Sequence, residues 1–296
     1  MVRTTSPASP DDDRCGLCGG TGRPFRTKYG YRILRCASCD NAFVPRSAVP
    51  ADLESIYGKG YFEGAEETGY PGYLADSKII TRNFRDRLRA IEALHPPGKR
   101  LLDVGAAYGL FLKEAREAGW DASGVEIAPD CALEAAKISG APVACGDFVT
   151  VPLEGPYDVI VMLDVIEHFR DPVAVVRRAH ELLSPGGLLV IDTGDLDTPW
   201  AKLLGDRWYF LDPPQHLFYF SERGLRTVLR KGGFSGEIRR TRPGRRVSLT
   251  NISFKLAAGA PKGPLRTGLG RLAKANLPGA VYLNFGDGML MSARKT

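Results

Sequence analysis

The clearest hydrophobic pattern begins at Asp76. From there to Leu94 the apolar residues Ile79, Ile80, Phe84, Leu88, Ile91 and Leu94 recur mostly at three- and four-residue steps. That period predicts an amphipathic helix, and His95-Pro96-Pro97-Gly98 ends it. Beyond it, short apolar runs alternate with helical stretches. Residues 101–104, 120–127, 143–145, 157–163 and 188–192 read as strands. Residues 110–118, 129–139, 171–183 and 225–231 read as helices, the third of them stopped by Ser184-Pro185-Gly186-Gly187. Regular alternation of this kind predicts an α/β fold, a parallel sheet with helices on both faces.

Upstream the pattern is different. Four cysteines fall as Cys15-Gly-Leu-Cys18 and Cys36-Ala-Ser-Cys39, and between them Tyr31, Ile33 and Arg35 alternate after a Tyr29-Gly30 turn. Two such knuckles around a short hairpin bring four thiolates onto one ion, the design of a four-cysteine zinc ribbon. With all four positions filled, the Zn2+ has a structural role. A redox pair or two disulfides are the competing readings. Cys131 and Cys145 stand alone in apolar context and read as small core residues. The expected organisation is a disordered tail over 1–13, the ribbon over 14–46, a linker and helix over 47–98, and an α/β domain over 99–296. Within the linker, the Gly- and Tyr-rich stretch 50–74 reads as a loop with one short helix. A ribbon of this size can grip RNA, hold a protein, or pack on its neighbouring domain.

Composition narrows the class. The 296 residues are 44% hydrophobic and 25% charged, enough to bury a full core. No apolar run reaches the ~18–20 residues of a membrane-spanning helix. The first residues, MVRTTSPASPDDDR, lack the apolar stretch of a secretory signal, so a cytoplasmic protein is the expectation. The net charge of +6 conceals an asymmetry. Residues 51–220 carry 16 basic against 27 acidic side chains, and residues 221–296 carry 16 against 3. A basic final quarter either faces phosphates (of a nucleotide-linked substrate, a nucleic acid or a peripheral membrane contact) or balances its acidic neighbour.

In parallel sheets, ligands bind beyond the carboxyl ends of the strands. The first strand runs into Asp103-Val104-Gly105-Ala106-Ala107-Tyr108-Gly109, a small-residue turn before a helix. Such a turn admits a ligand close to the backbone and offers it free N–H groups. The second strand ends in Glu126, placed to accept both hydroxyls of a ribose. The third ends in Gly146-Asp147-Phe148, an acceptor and a ring suited to adenine. Together these point to an adenosine site.

The runs DVGAAYG, GVEIAPD, CGDF, YDVIVMLDVIEHFRDP and SPGGLLVID, in this order, resemble class I S-adenosylmethionine-dependent methyltransferases. More narrowly they are similar to bacterial members related to ubiquinone-biosynthesis O-methyltransferases. The ribbon followed by YGKGYFEG and GYPGYL is similar to zinc-ribbon-bearing members that modify sugars, polysaccharides or natural products. PPQHLFYFSERGLRTVLRKGGF extends the match, which covers about 14–240 and a final strand near 281–293. The resemblance implies a Rossmann-like, seven-stranded, mostly parallel sheet and S-adenosyl-L-methionine as cofactor. It places Asp103, Gly105 and Gly109, with Ala107 and Tyr108 between them, around the methionine part. It puts Glu126 at the ribose, Asp147 and Phe148 at the adenine, and Asp164 where the fourth strand closes the site, with Ile127 also among the cofactor-binding residues. Ala107 stands where the family has a glycine, which narrows the loop slightly.

A hydroxyl acceptor of high pKa needs a general base. His168 and His216 are the candidates, His216 the favoured one; His95 and His180 read as structural. The aromatic segment 194–220 is expected to cap the acceptor with His216 facing it. The run Arg239–Arg246 is expected at the rim, docking an anionic part of the substrate. The implied reaction moves a methyl group to an oxygen, rather than a carbon or nitrogen, of a small molecule, sugar or natural-product intermediate. At the fourth strand Leu163-Asp164-Val165-Ile166 replaces the Asn/Asp-Pro-Pro-aromatic run of amine and amide methylases. Sugar C-methyltransferases carry a Glu-His pair, where this chain has Gln215-His216, and a further C-terminal domain. Both departures weigh against C-methylation. An RNA methyltransferase that grips its substrate through the ribbon, and a non-catalytic scaffold, are the alternatives.

Overall fold

The computed structural model describes residues 12–51, 73–259, 263–274, 279–284 and 286–296. Most of the tail expected over 1–13, and most of the loop and short helix expected over 50–74, lie outside the described residues.

The chain opens with β1 (Gly22–Lys28) and β2 (Tyr31–Cys36), an antiparallel hairpin, followed by β3 (Ala42–Phe43). Tyr29 and Gly30 both have positive φ, 51° and 82°, as a two-residue hairpin turn with right-twisted strands demands. Then come α1 (Ser77–Glu92), β4 (Arg100–Val104), α2 (Leu110–Glu117), β5 (Asp121–Glu126), α3 (Pro129–Ser139), β6 (Val143–Cys145), β7 (Tyr157–Leu163), α4 (Pro172–Leu182) and β8 (Leu183–Gly194). A short α5 (Pro199–Leu204), β9 (Phe218–Tyr219), α6 (Glu222–Lys231), β10 (Ile238–Thr241) and β11 (Arg245–Ser248) follow. The chain finishes with α7 (Leu249–Gly259), α8 (Pro264–Lys274), β12 (Ala280–Leu283) and β13 (Gly288–Arg294).

Seven strands form one sheet in the order β10-β13-β8-β7-β4-β5-β6. The pairs β4–β5, β4–β7, β5–β6 and β7–β8 are parallel, and β13 alone runs against both its neighbours. The Rossmann-like, mostly parallel architecture is therefore present. Side-chain alternation divides its two faces. Leu101, Val159, Val161, Leu188 and Val190 point to the layer holding Leu88 and Ile91 of α1 and Phe111 and Leu112 of α2. Leu102, Ile160, Met162, Leu189 and Ile191 point to the layer holding Val175 and Val176 of α4 and Leu225 and Val228 of α6. From β6 at the edge the chain crosses to β7 on the other side of β4. The crevice at that crossing, outside the strands' carboxyl ends, is the expected ligand position.

Three expectations need correction. β8 begins at Leu183 rather than 188: Tyr157 pairs with Leu183, and the ladder shifts register before Val159 meets Leu188. Ser184-Pro185-Gly186-Gly187 thus ends the helix while the strand has already started. The stretch 281–293 is two strands, because β12 pairs with β11 in a separate ribbon and only β13 joins the main sheet. Cys131 is buried, as expected, but Cys145 is exposed at the end of β6.

The ribbon shares its sheet with the larger domain. β9 pairs with β3 through Ala42–Tyr219 and Phe43–Phe218, giving the order β1-β2-β3-β9. Around this seam Trp208, Phe210, Leu211 and Tyr219 pack with Ile33, Ala42 and Val44 of the ribbon. Asn41 accepts from Ser221 N–H at 3.0 Å, and Lys231 of α6 donates to the Leu17 carbonyl at 2.8 Å. Among the described residues no helix is long and apolar enough to cross a membrane.

Candidate active site

One cavity of about 1360 Å³ opens at the crossing, larger than the roughly 300–1,000 Å³ usual for one small ligand. Its first lobe follows four strand ends. Asp103, Gly105 and Ala107 line it after β4, Glu126 and Ile127 after β5, Asp147 and Phe148 after β6, and Asp164 after β7. Tyr108 and Gly109 do not line it. Tyr108 is buried against Ala128 and Cys131, and Gly109 precedes α2 with φ 73°, packed against the backbone of Ala135. A Cβ on Gly109 would meet the Ala135 carbonyl oxygen at 2.6 Å, so that glycine serves helix packing.

The turn is held tightly. Gly105 and Ala106 both donate to the Val125 carbonyl, at 2.8 and 3.0 Å. Ala107 has φ 48° and Asp164 φ 51°. L-residues disfavour this left-handed region, and strain of this kind is characteristic of functional loops. Alanine in the family's glycine position is therefore accommodated by a strained backbone.

Glu126 accepts from Ala107 N–H at 2.8 Å and from Ala128 N–H at 3.0 Å, so its carboxylate joins the β4 and β5 turns. Burial raises its pKa, against the pull of those N–H groups. Asp103 lies in the same pocket. Burial, with the neighbouring Glu126 charge adding, pushes it up to about 8. A cation arriving here would favour the charged form of Asp103 and draw its proton off. Asp147 turns back to accept from Val149 N–H at 2.7 Å.

Where the lobe passes Asp164, the cavity reaches His168. His168 Nδ1 donates to the Gln215 carbonyl at 3.0 Å. Burial depresses the imidazole to about 4, outweighing the Gln215 and Asp164 carbonyls that favour the charged form. At neutral pH it is an uncharged imidazole. Glu167 is fully buried, accepting from Thr193 Oγ1 at 2.9 Å while its backbone carbonyl accepts from Leu217 N–H at 2.8 Å. Burial, reinforced by Asp164 and Asp192, raises it well above the usual carboxyl range. Its Oε1 has no hydrogen-bond partner among the described residues.

His216 is placed differently from the expectation. It is not among the residues that line the cavity; its Nδ1 donates to the Phe210 carbonyl at 2.6 Å. Its ring stands edge-on to His168, centroids 4.7 Å apart. Glu167, His168 and His216 thus bring potential ligand atoms within 4.8 Å of one another, with His168 in front. The expected aromatic cap is corrected for the same reason. Phe218, Tyr219 and Phe220 are buried at the ribbon seam, because β9 is a strand covered on both sides. Trp200, Tyr209 and Phe210 alone of the aromatic run reach the cavity.

The second lobe is largely apolar, walled by Phe84, Trp200, Leu204, Ile252, Leu265 and Leu269. Two arginines of the basic run line it, Arg245 and Arg246. The run does not act as one patch. Arg239 pairs with Glu237, and Arg240 bridges the buried Asp195 and Glu222. Arg246 is bound to Asp86 at 2.5 Å. Arg245 lies over the Tyr209 ring at 4.8 Å and bonds its hydroxyl, without an acidic partner among the described residues. Arg207 lines the same lobe.

The sequence did not point to Thr193, which donates to Glu167, to the Arg87–Asp192 pair at 2.5 Å on the cavity wall, or to the stacking of Arg245 on Tyr209. Glu167 carried a legible signal, a carboxylate beside His168 in an otherwise apolar run. Arg87 carried none, being one of several arginines on α1.

The four ribbon cysteines are free thiols whose sulfurs all lie within 4.8 Å of one another. Cys15 and Cys39 are 3.7 Å apart and Cys18 and Cys36 3.4 Å. A tetrahedron with metal–sulfur bonds of about 2.3 Å has edges of about 3.8 Å, so the set fits one zinc ion. Gly20 and Ser38 N–H groups point at Cys18 and Cys36 sulfurs, both at 3.4 Å, the pattern that stabilises thiolates.

A family profile described as "Methyltransferase domain" matches residues 76–237. The ubiquinone biosynthesis O-methyltransferase of Bordetella avium is 32% identical over 104 residues, 32% of this chain and 43% of the relative. That of Xanthomonas axonopodis is 30% identical over 115 residues, 36% of this chain and 48% of the relative. The chain spans less than half the length of these curated relatives. Among solved structures, a SAM-dependent methyltransferase from Archaeoglobus fulgidus superposes with a TM-score of 0.51 at 17% identity, covering 75% of this chain and 99% of its own. One from Thermotoga maritima, described as a possible histamine N-methyltransferase, gives 0.50 at 19% identity, covering 76% and 93%. These likenesses show the fold.

Proposed function

The chain belongs to the methyltransferase-domain family, and from that premise we propose that it is an S-adenosylmethionine-dependent enzyme methylating an oxygen of a small molecule, sugar or natural-product intermediate. One observation carries the reading: a single cavity joins the four strand ends to His168 and to a second lobe with room for an acceptor. The oxygen is favoured because the matched relatives are O-methyltransferases.

In this reading the Gly105–Ala107 turn and Asp103 hold the methionine end, Glu126 the ribose, and Asp147 and Phe148 the adenine. The bound cofactor supplies a methyl group already activated by its sulfonium. The protein's task is alignment, exclusion of water and removal of the acceptor's proton. His168, uncharged and open to the cavity, takes that proton. Gln215 and His216 fix its ring. Arg245 and Arg207 receive an anionic part of the acceptor, as a guanidinium fork suits carboxylate or phosphate.

The four cysteines hold a structural zinc, which suits a reducing compartment. Its effect reaches the active site through β3 and β9, since Val44 N–H donates to the Leu217 carbonyl at 2.9 Å and Leu217 N–H to Glu167. The test is a titration with adenosylhomocysteine, followed by a screen for its release with pooled phenols and glycans. A chain that binds no adenosylhomocysteine would sink the proposal.

A further inference from the structure

The insertion between β11 and β12 is used by no step above except as wall. It carries α7 and α8 at the tip of a two-stranded ribbon. Its 31 residues, 249–279, hold five lysines or arginines and no acidic residue. On α8, Leu265, Leu269 and Leu272 recur at positions i, i+4 and i+7, which puts them on one side of the helix. Arg266 and Arg271 flank that stripe, each about 100° around the axis from a leucine.

Leu265 and Leu269 edge the cavity, and the two ends of the stripe stand open to solvent. Leu265 is 64% exposed, Leu272 46%, and Leu256 on α7 56%. The strand that closes the insertion adds Val281 and Tyr282, both exposed. α8 packs against α7. Exposed apolar side chains gathered in one segment, on α7, α8 and the β12 strand that closes it, mark an interaction surface rather than scattered surface leucines.

We propose that the α7–α8 hairpin docks on the surface of a bilayer carrying anionic phospholipid headgroups. Leucines flanked by arginines, with no acidic residue in the segment, match the chemistry of that boundary: apolar side chains enter the acyl edge while the guanidinium groups stay at the phosphates. The protein's charge distribution orients the approach, since residues 221–296 are strongly basic and residues 51–220 acidic. A nucleic acid would use the arginines and leave the leucines in water. Leu256 and Leu265 also line the cavity, so docking sets the mouth of the second lobe against the membrane.

The test is flotation of the full chain with vesicles of phosphatidylcholine alone, and of phosphatidylcholine with about 30% phosphatidylglycerol. Partitioning onto the anionic vesicles is expected to exceed that onto the neutral ones by about tenfold or more, and to fall with added salt. Leu272→Glu, and separately Arg266→Glu with Arg271→Glu, are expected to lower it by about tenfold. Adenosylhomocysteine titrations on the same proteins confirm that each variant is folded and report on the methyltransferase reading independently. Absence of vesicle binding, equal binding to both vesicle types, or binding untouched by these substitutions overturns the proposal. Retention of single-stranded RNA without vesicle binding would assign the basic face to nucleic acid instead.

Discussion

His168 and His216 meet edge to face, their ring planes 86° apart, yet His168 alone of the two lines the cavity. Each spends its Nδ1 proton on a backbone carbonyl, Gln215 for the first and Phe210 for the second. In the proposed reading the front ring does the chemistry and the rear ring holds it.

From this follows a division between two variants. His168→Gln is expected to lower turnover by about 10²–10⁴-fold with adenosylhomocysteine affinity nearly unchanged, the scale of a lost general base. His216→Ala should act more weakly, through ring placement. Turnover of the parent should stay flat from neutral pH down to about 5, falling only as His168 protonates near its depressed value of about 4. Steady-state kinetics across pH on the three proteins checks this; an unimpaired His168→Gln enzyme removes the base assignment.

Glu126→Ala deletes the carboxylate that accepts from Ala107 and Ala128 and faces the first lobe. Adenosylhomocysteine affinity is expected to fall by about 1–3 kcal/mol, two hydrogen bonds' worth. Calorimetry showing equal affinity would mean the ribose lies elsewhere.

Asp103 supplies a pH signature. Its carboxyl sits at about 8 in the fold against an ordinary 3.8, because it is buried with Glu126 nearby. Between those values the folded chain binds more protons than the unfolded chain, so unliganded stability declines as pH rises through the window. Asp103→Asn should flatten that decline, read as melting temperature from pH 5 to 8. Binding of the cationic cofactor beside Asp103 should release a proton near pH 7, seen calorimetrically as an enthalpy that changes with the buffer's ionisation heat. A buffer-independent enthalpy speaks against the contact.

Metal analysis should find one zinc per chain, nearly absent from Cys36→Ser. Because β3 carries β9, the same variant is expected to speed amide exchange at Phe218 and Tyr219. Stoichiometric zinc retained by Cys36→Ser would rule out the four-thiolate site.

Arg245→Ala tests the acceptor lobe. With any acceptor found in the screen that carries a carboxylate or phosphate, KM should rise about tenfold, the loss of a charge-assisted hydrogen bond, while kcat changes little. An uncharged acceptor should not register the substitution.

What the sequence determined by itself is whatever depends on neighbours along the chain. The helices at Pro129–Ser139 and Leu110–Glu117, the strands Val143–Cys145 and Tyr157–Leu163, and the paired CxxC knuckles follow from local period and spacing. The acids that end successive parallel strands, Asp103, Glu126, Asp147 and Asp164, were legible because strand order alone brings those ends to one crevice. Tertiary structure decided the rest. Phe218 and Tyr219 looked like an acceptor cap, but they are a strand of the ribbon sheet, a pairing made across more than 170 residues. His216 was the favoured candidate in sequence and His168 the second; only the carbonyl of Phe210 and the course of the cavity wall put His216 behind His168. Arg240 and Arg245 lie in one basic run, yet β10 takes the first to Asp195 while β11 takes the second to the cavity, because the chain turns between them. Local pattern fixes which groups a segment offers, and the long-range packing of strands fixes which of them face the site.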